Sequence, residues 1–127
     1  MCSFDDKATI KNTDINLNDG DIFSFGKTDF RVIHIPGHTL GHVAFYSKKA
    51  KVIFSGDTLF SLGCGRIFEG SFEQMFSSIE KIKNLPSETL IYCGHEYTEK
   101  NGEFAISIDD QNKICLLYTS DAADDSL

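Results

Sequence analysis

Three side chains that can bind a metal ion stand where short apolar segments give way to turns. They are His38 after residues 30–35, Asp57 after residues 52–54, and His95 after residues 90–93. A glycine directly precedes each of them, which lets the backbone turn sharply and lets a neighbouring group approach closely. If the segments are adjacent strands, their ends bring together two imidazoles and a carboxylate, a donor set that suits zinc, iron or manganese. The pattern therefore predicts a metal centre.

The stretch IPGHTLGH contains a second histidine, His42, four residues after His38. On a helix such a pair shares one face and could hold one ion between its rings. Pro36-Gly37 before the first histidine and a glycine before the second instead indicate a turn that leads into a strand. We therefore expect His42 to hydrogen-bond backbone or a ligand beside the metal centre. We expect His34 to be an ordinary strand residue with a hydrogen-bonded ring.

A glycine-rich, polar and aromatic segment, residues 56–70, is predicted to be a loop. Arg66 within it could bind a substrate carboxylate beside the metal, or could be a solvated surface residue. Tyr97, in the sequence HEYT, could offer its hydroxyl to the same pocket, or could be a partly buried aromatic residue. Cys64 has no histidine near it in sequence, so we expect a small buried hydrophobe rather than a nucleophile.

The apolar pattern predicts a group of strands, a loop, and then a helix, a strand and a second helix. The predicted strands are residues 21–25, 29–35, 43–47, 51–55 and 89–93. This order is typical of an α/β (α+β) fold in which helices cover sheet layers.

Two helices are predicted after the loop. The first begins at Ser71 and ends at residues 84–86, and the second covers residues 99–108, with Phe104 and Ile108 on one side. The apolar residues at helical spacing in the first helix are Phe72, Met75, Phe76, Ile79 and Ile82.

The composition is that of one small globular domain, with 127 residues, 41% hydrophobic residues and a formal net charge of −7. The acidic balance, without a Lys/Arg-dense segment, argues against nucleic acid as a partner. No apolar run approaches the roughly 20 residues of a membrane-spanning helix, and the N-terminus lacks a signal-peptide pattern. Four scattered cysteines predict free thiols in a reducing compartment, and hence a cytoplasmic protein. Residues 115–127 are predicted to be a disordered tail after a domain at 1–114.

Three longer stretches are similar to those of a known family. They are IPGHTLGHVAFY, FSGDTLFSLGCGRIFEGSFEQM and IYCGHEYT. They resemble the metallo-β-lactamase superfamily and, more narrowly, the glyoxalase II (hydroxyacylglutathione hydrolase) family. The resemblance covers residues 19–108. It implies roughly the C-terminal half of an αββα sandwich, with a mixed β-sheet and helices on one face.

The same resemblance implies two divalent metal ions (zinc, iron or manganese) and hydrolysis of S-lactoylglutathione to lactate and glutathione. The ligands that it implies are His38 on the first metal, His95 on the second, and Asp57 as the carboxylate that bridges both. It also implies that Arg66 and Tyr97 contact the glutathione thioester. Phe68 stands where some members have a tyrosine, so that hydroxyl contact is absent.

Two family features are absent from this sequence. They are the Thr-His-x-His-x-Asp-His motif, which supplies four ligands, and the helical C-terminal domain. We therefore expect a chain truncated on both sides, with weak metal binding and little or no hydrolysis on its own. Apolar strand faces at residues 52–54 and 90–91 would then be uncovered, which predicts aggregation or pairing with another chain through the exposed sheet.

The final CLLYTSDAADDSL does not resemble the family and is expected to be a foreign read-through tail. Two alternative functions stay open. An iron persulfide dioxygenase shares the fold, although the GCGR and HEYT motifs favour the thioesterase. An inert fragment that binds no metal is the alternative from outside the enzymes.

Overall fold

A computed structural model of the protein describes residues 2–3 and 14–111. The predicted tail at 115–127 lies outside the described residues. The strands are β1 Cys2–Ser3, β2 Asn16–Leu17, β3 Ile22–Phe25, β4 Thr28–His34, β5 Val43–Ser47, β6 Val52–Gly56, β7 Leu59–Phe60, β8 Gly63–Cys64 and β9 Leu90–Cys93. The helices are α1 Phe72–Lys83 and α2 Thr98–Ile108. Every predicted strand and both predicted helices are present, with bounds that differ by one or two residues.

The central element is a five-stranded mixed sheet in the order β3-β4-β5-β6-β9. Strands β3 to β6 are joined as antiparallel neighbours, whereas β9 pairs in parallel with β6. The parallel pair sets Val52 opposite Leu90 at one end and Gly56 opposite Cys93 at the other. Because the carboxyl ends of these two strands meet at one edge, the residues that follow them are brought together. The predicted α/β (α+β) class with a mixed sheet is confirmed.

Helix α1 covers one face of this sheet. Its start is stabilised by a capping box, in which the Gln74 amide donates to Ser71 Oγ and the Ser71 amide donates to the Gln74 side chain. Its buried face meets the apolar side of β4, β5 and β6, where each fully buried aliphatic side chain contributes about 2 kcal/mol. The core cluster consists of Ile35, Ala44, Ile53 and Ile82.

The predicted apolar stripe of α1 was partly wrong. The buried positions are Met75, Ser78 and Ile82, whereas Phe72 is 82% exposed and Phe76 is 67% exposed. At 3.6 residues per turn, the two phenylalanines lie to one side of the face that Met75 and Ile82 define. The sequence pattern gave no sign that a serine would occupy the buried face in their place.

The opposite face of the sheet carries a row of aromatic rings that crosses all five strands. We call it the aromatic face; its members are Phe23, Phe30, Phe45, Phe54 and Tyr92. Neighbouring rings along the row have centroids 5.2–6.0 Å apart. Phe54 is 43% exposed, and Leu90 beside the row is 60% exposed. Of the residues expected to be uncovered, Phe54, Leu90 and Ile91 are exposed, whereas Ile53 is fully buried in the core under α1.

The predicted loop between β6 and α1 contains a small antiparallel hairpin, β7–β8, which pairs Leu59 with Cys64 and Phe60 with Gly63. Strands of two residues give too short a pattern for sequence periodicity to reveal. Within the described residues, neither helix combines the length and apolar character that a bilayer crossing requires.

Candidate metal centre

Asp57 lies between two imidazoles at the edge of the sheet where β6 and β9 end. Its Oδ2 is 3.5 Å from His38 Nε2 and 3.4 Å from His95 Nε2. All three side chains line one open cavity of about 530 Å³. The structure thus brings together the three residues that the strand-glycine-donor pattern singled out.

The position of Asp57 depends on a tight turn directly after β6. Gly56 has a φ of +53°, and a Cβ there would lie 2.6 Å from His42 Nε2, so a side chain is excluded on both counts. The Asp57 amide donates to His42 Nε2 over 3.1 Å. This bond occupies the lone pair of that nitrogen, so His42 holds the turn and does not offer Nε2 to a metal.

The ring of His38 is oriented by a backbone carbonyl. His38 Nδ1 is 2.7 Å from the carbonyl oxygen of Arg66, and a carbonyl can only accept, so Nδ1 carries the proton. The lone pair is therefore on Nε2, the nitrogen that faces Asp57. Hydrogen bonds of this kind fix both the tautomer and the ring plane of metal-binding histidines. The ring of Phe68 packs against the same imidazole, with centroids 5.0 Å apart.

His95 reaches the centre from the turn after β9. Its ring is stacked on that of Tyr97, with centroids 5.4 Å apart, and Phe60 contacts both rings edge-on. A Cβ on Gly94 would lie 2.4 Å from Asp57 Oδ1, so the missing side chain leaves the space that the carboxylate occupies. Phe60 was not predicted as a site residue, although it stands three residues after Asp57.

The remaining predicted residues, Arg66, Phe68 and Tyr97, all line the cavity. Cys64 also lines it and is exposed, which corrects the expectation of a small buried side chain. The β7–β8 hairpin carries this thiol to the cavity rim, and the hairpin was not predictable. His34 is a residue of β4, and its Nε2 donates to the carbonyl of Leu40 over 2.8 Å, as expected of a bonded strand histidine.

Asn101 is a further lining residue that sequence reasoning missed. Its Nδ2 donates to the carbonyl of Ser61 over 2.9 Å, so it ties α2 to the β7–β8 hairpin. The signal was available, because Asn101 stands four residues after Tyr97 and such residues share one face of a helix.

The entry of α2 is stabilised by a carboxylate beside the centre. Glu96 accepts hydrogen bonds from the hydroxyl and the amide of Thr98. The Thr98 hydroxyl, followed by its amide, lowers the pKa of Glu96 below its usual value. The carboxylate is thus bound to the first residue of α2, and these bonds favour its ionised form.

The donor set would suit divalent metal ions that are each bound by one histidine and by the carboxylate of Asp57. Two imidazole nitrogens and one carboxylate are the ligand types that zinc, iron and manganese accept. Within residues 14–111, no group of three or more His, Cys, Asp or Glu donors surrounds a single ion position. Asp57 Oδ2 nonetheless lies within 3.5 Å of one nitrogen of each imidazole. A carboxylate so placed can be shared between two ions.

Comparison with known proteins gives both family and homologues. The family model described as the metallo-beta-lactamase superfamily matches residues 3–95. A hydroxyacylglutathione hydrolase of Pelagibacter ubique (strain HTCC1062) is 52% identical over 108 residues, which are 85% of this chain and 45% of that protein. The chain therefore spans less than half the length of this curated relative.

Solved structures show the same fold. The crystal structure of the B3 metallo-beta-lactamase BLEG-1 has a TM-score of 0.61 at 37% identity, covering 66% of this chain and 42% of that one. The crystal structure of TTHA1623 in a di-iron-bound form has a TM-score of 0.58 at 38% identity, covering 65% and 41%.

Proposed function

The chain belongs to the metallo-β-lactamase superfamily, and we propose that it is part of a metal-dependent thioesterase that hydrolyses hydroxyacylglutathione. Homologues with about half of their residues identical are hydroxyacylglutathione hydrolases. The observation that carries the proposal is the placement of Asp57 within 3.5 Å of both His38 and His95, in a cavity that Arg66 also lines. Superfamily membership implies divalent metal ions; that they are two, and that they are zinc, iron or manganese, is part of the proposal.

In this proposal His38 and Asp57 hold one ion, and His95 and Asp57 hold the other. When bound, a divalent ion supplies Lewis acidity and lowers the pKa of coordinated water toward neutrality. The Arg66 carbonyl keeps the proton of His38 on Nδ1 and leaves Nε2 free to bind. The Asp57 turn is held by His42. These contacts orient the donors before any ligand arrives, which lowers the cost of ordering them.

The cavity wall supplies the groups that would bind the substrate. The guanidinium of Arg66 can pair with a carboxylate of the glutathione moiety. The hydroxyl of Tyr97 can donate to a polar group of the same moiety, while Phe60 and Phe68 add apolar surface to the cavity lining. Hydrolysis breaks the acyl C–S bond and adds water to give a hydroxy acid and the thiol. Thiolate leaves readily because the pKa of a thiol is only about 8.5.

A chimera tests this function directly. The 108 aligned residues of this chain replace their counterparts in the Pelagibacter ubique relative, and hydrolysis of S-lactoylglutathione is followed with added zinc, iron or manganese. We expect metal-dependent hydrolysis, and an Arg66→Ala change should raise KM by about tenfold, since a charge-assisted contact contributes about 1.5 kcal/mol or more. Arg31→Ala, which changes an exposed arginine of β4 away from the cavity, is the matched control. A folded chimera that binds metal but does not hydrolyse the thioester would contradict the proposal.

We further propose a cytoplasmic location and a small-molecule partner. Cys64 and Cys93 are free thiols, as expected in a reducing compartment. The small, partly polar cavity suits a substrate of tripeptide size rather than a macromolecule.

A further inference from the structure

The turn that carries His38 is held at Leu40 by two side chains outside the donor set. The Leu40 amide donates to Glu69 Oε2 over 2.8 Å. The Leu40 carbonyl accepts from His34 Nε2, also over 2.8 Å. Both main-chain polar groups of one residue are therefore bonded by side chains that come from different parts of the chain.

This turn has little apolar packing at its tip. The Leu40 side chain is 48% exposed, so hydrophobic burial holds the residue only in part. The two hydrogen bonds add to it, and a bond to an ionised carboxylate is stronger than a bond between neutral groups. Leu40 stands two residues from His38 and two from His42, so its position bears on both imidazoles.

Glu69 belongs to a segment that lies beside the His38 turn and is hydrogen-bonded to it. The Phe68 amide donates to the His38 carbonyl, and the Gly70 amide donates to the Gly37 carbonyl, each over 3.1 Å. The Arg66 carbonyl accepts from the His38 ring in the same segment. The hydrogen bond that the Leu40 amide donates to Glu69 adds a side-chain contact to these main-chain contacts. It extends the bonded part of the turn from His38 to Leu40.

We propose that Glu69 is a positioning residue for the metal centre and that His34 assists it. By holding Leu40 from both sides, the two side chains keep the turn closed, so that His38 Nε2 stays directed at Asp57. The inference rests on the proposed metal-binding role of His38. It assigns a function to an exposed glutamate that binds neither metal nor substrate.

The first test uses metal-free protein and is independent of the proposed function. Amide hydrogen exchange at Leu40 is measured by NMR in the wild type, Glu69→Ala and Glu69→Gln. Exchange should accelerate by about tenfold or more in Glu69→Ala, because a hydrogen bond to a charged group is lost. Glu69→Gln keeps an acceptor oxygen and should restore most of the protection. Glu88→Ala, which removes an exposed carboxylate paired with Lys51, should leave Leu40 unchanged.

The second test measures Co²⁺ affinity and the Co²⁺ absorption spectrum of the same variants. Glu69→Ala should bind about tenfold more weakly, as is typical when a supporting contact of a ligand is removed, and Glu69→Gln should recover. Either of two results for Glu69→Ala would overturn the inference. One is a Leu40 amide exchange rate equal to that of the wild type. The other is faster Leu40 exchange with unchanged Co²⁺ affinity and absorption spectrum. If the wild type binds no Co²⁺, the metal-binding proposal fails, and the exchange data alone decide whether Glu69 holds the turn.

Discussion

At the scale of single residues, the centre depends as much on absent side chains as on present ones. Asp57 can face both imidazoles because Gly94 leaves its Oδ1 unobstructed. The three donors were predictable from sequence, since each follows an apolar strand and a glycine. Glu69 was not predicted, because its role depends on a contact with Leu40, 29 residues away in sequence, whereas the helical spacing of Asn101 from Tyr97 was a signal that went unused.

Replacing Gly94 with alanine should weaken metal binding with little effect on folding. The new Cβ would lie 2.4 Å from Asp57 Oδ1, so the carboxylate must rotate away from the imidazoles. We expect the metal dissociation constant to rise by about tenfold or more, measured by titration with Co²⁺. Gly26→Asn is the control, because its turn has no atom within 4 Å of an added Cβ and a φ of +62° that asparagine tolerates. Equal Co²⁺ affinities of Gly94→Ala and Gly26→Asn would show that the space beside Gly94 is not needed for metal binding.

At the scale of elements, the five strands of the central sheet and both helices were predictable, and their finer packing was not. The alternating strands and the Ser71 cap are local signals, so they appear in the sequence. The exposed positions of Phe72 and Phe76 depend on how α1 is rotated over the sheet, which only tertiary contacts decide. The burial of Cys64 was predicted wrongly for a related reason. This residue lies in a hairpin whose strands have two residues each, which is too short for a periodic pattern.

The capping box should be the main local stabiliser of α1. Ser71→Ala removes the acceptor of the Gln74 amide and should lower the unfolding free energy by about 1 kcal/mol, or the Tm by about 4–8 °C. Thermal unfolding followed by circular dichroism measures this change. Ser77→Ala makes the same chemical change at an exposed position of the same helix and should be neutral or slightly stabilising. A Tm loss of equal size in both variants would argue against the cap.

At the scale of the whole molecule, the residues that the structure describes cover one face of the sheet more fully than the other. Helix α1 packs on one side, whereas the aromatic face on the other side remains partly open, with Tyr92 52% exposed. Contiguous exposed apolar surface of this kind favours association. Apolar strand faces at residues 52–54 and 90–91 were predicted from sequence, but the ring-to-ring continuity of the aromatic face follows from strand register, which the structure supplies.

The aromatic face should drive concentration-dependent self-association of this chain. The double change Phe54→Thr and Tyr92→Thr keeps strand-compatible residues and should shift the protein toward monomer in sedimentation velocity experiments. Phe72→Thr removes a ring of α1 that is even more exposed, at 82%, and should leave association unchanged. A wild-type chain that stays monomeric at all concentrations would contradict this expectation.

The central claim is that Asp57, His38 and His95 form one metal centre, and a Zn²⁺ titration of the metal-free chain tests it most directly. Asp57→Asn preserves the size of the side chain and removes its charge, while Asp29→Asn, at an exposed position of β4, serves as the control. We predict weak but saturable binding in the wild type and in the control, and binding at least about tenfold weaker in Asp57→Asn. The absence of saturable binding, or equal affinity in all three proteins, would contradict the account.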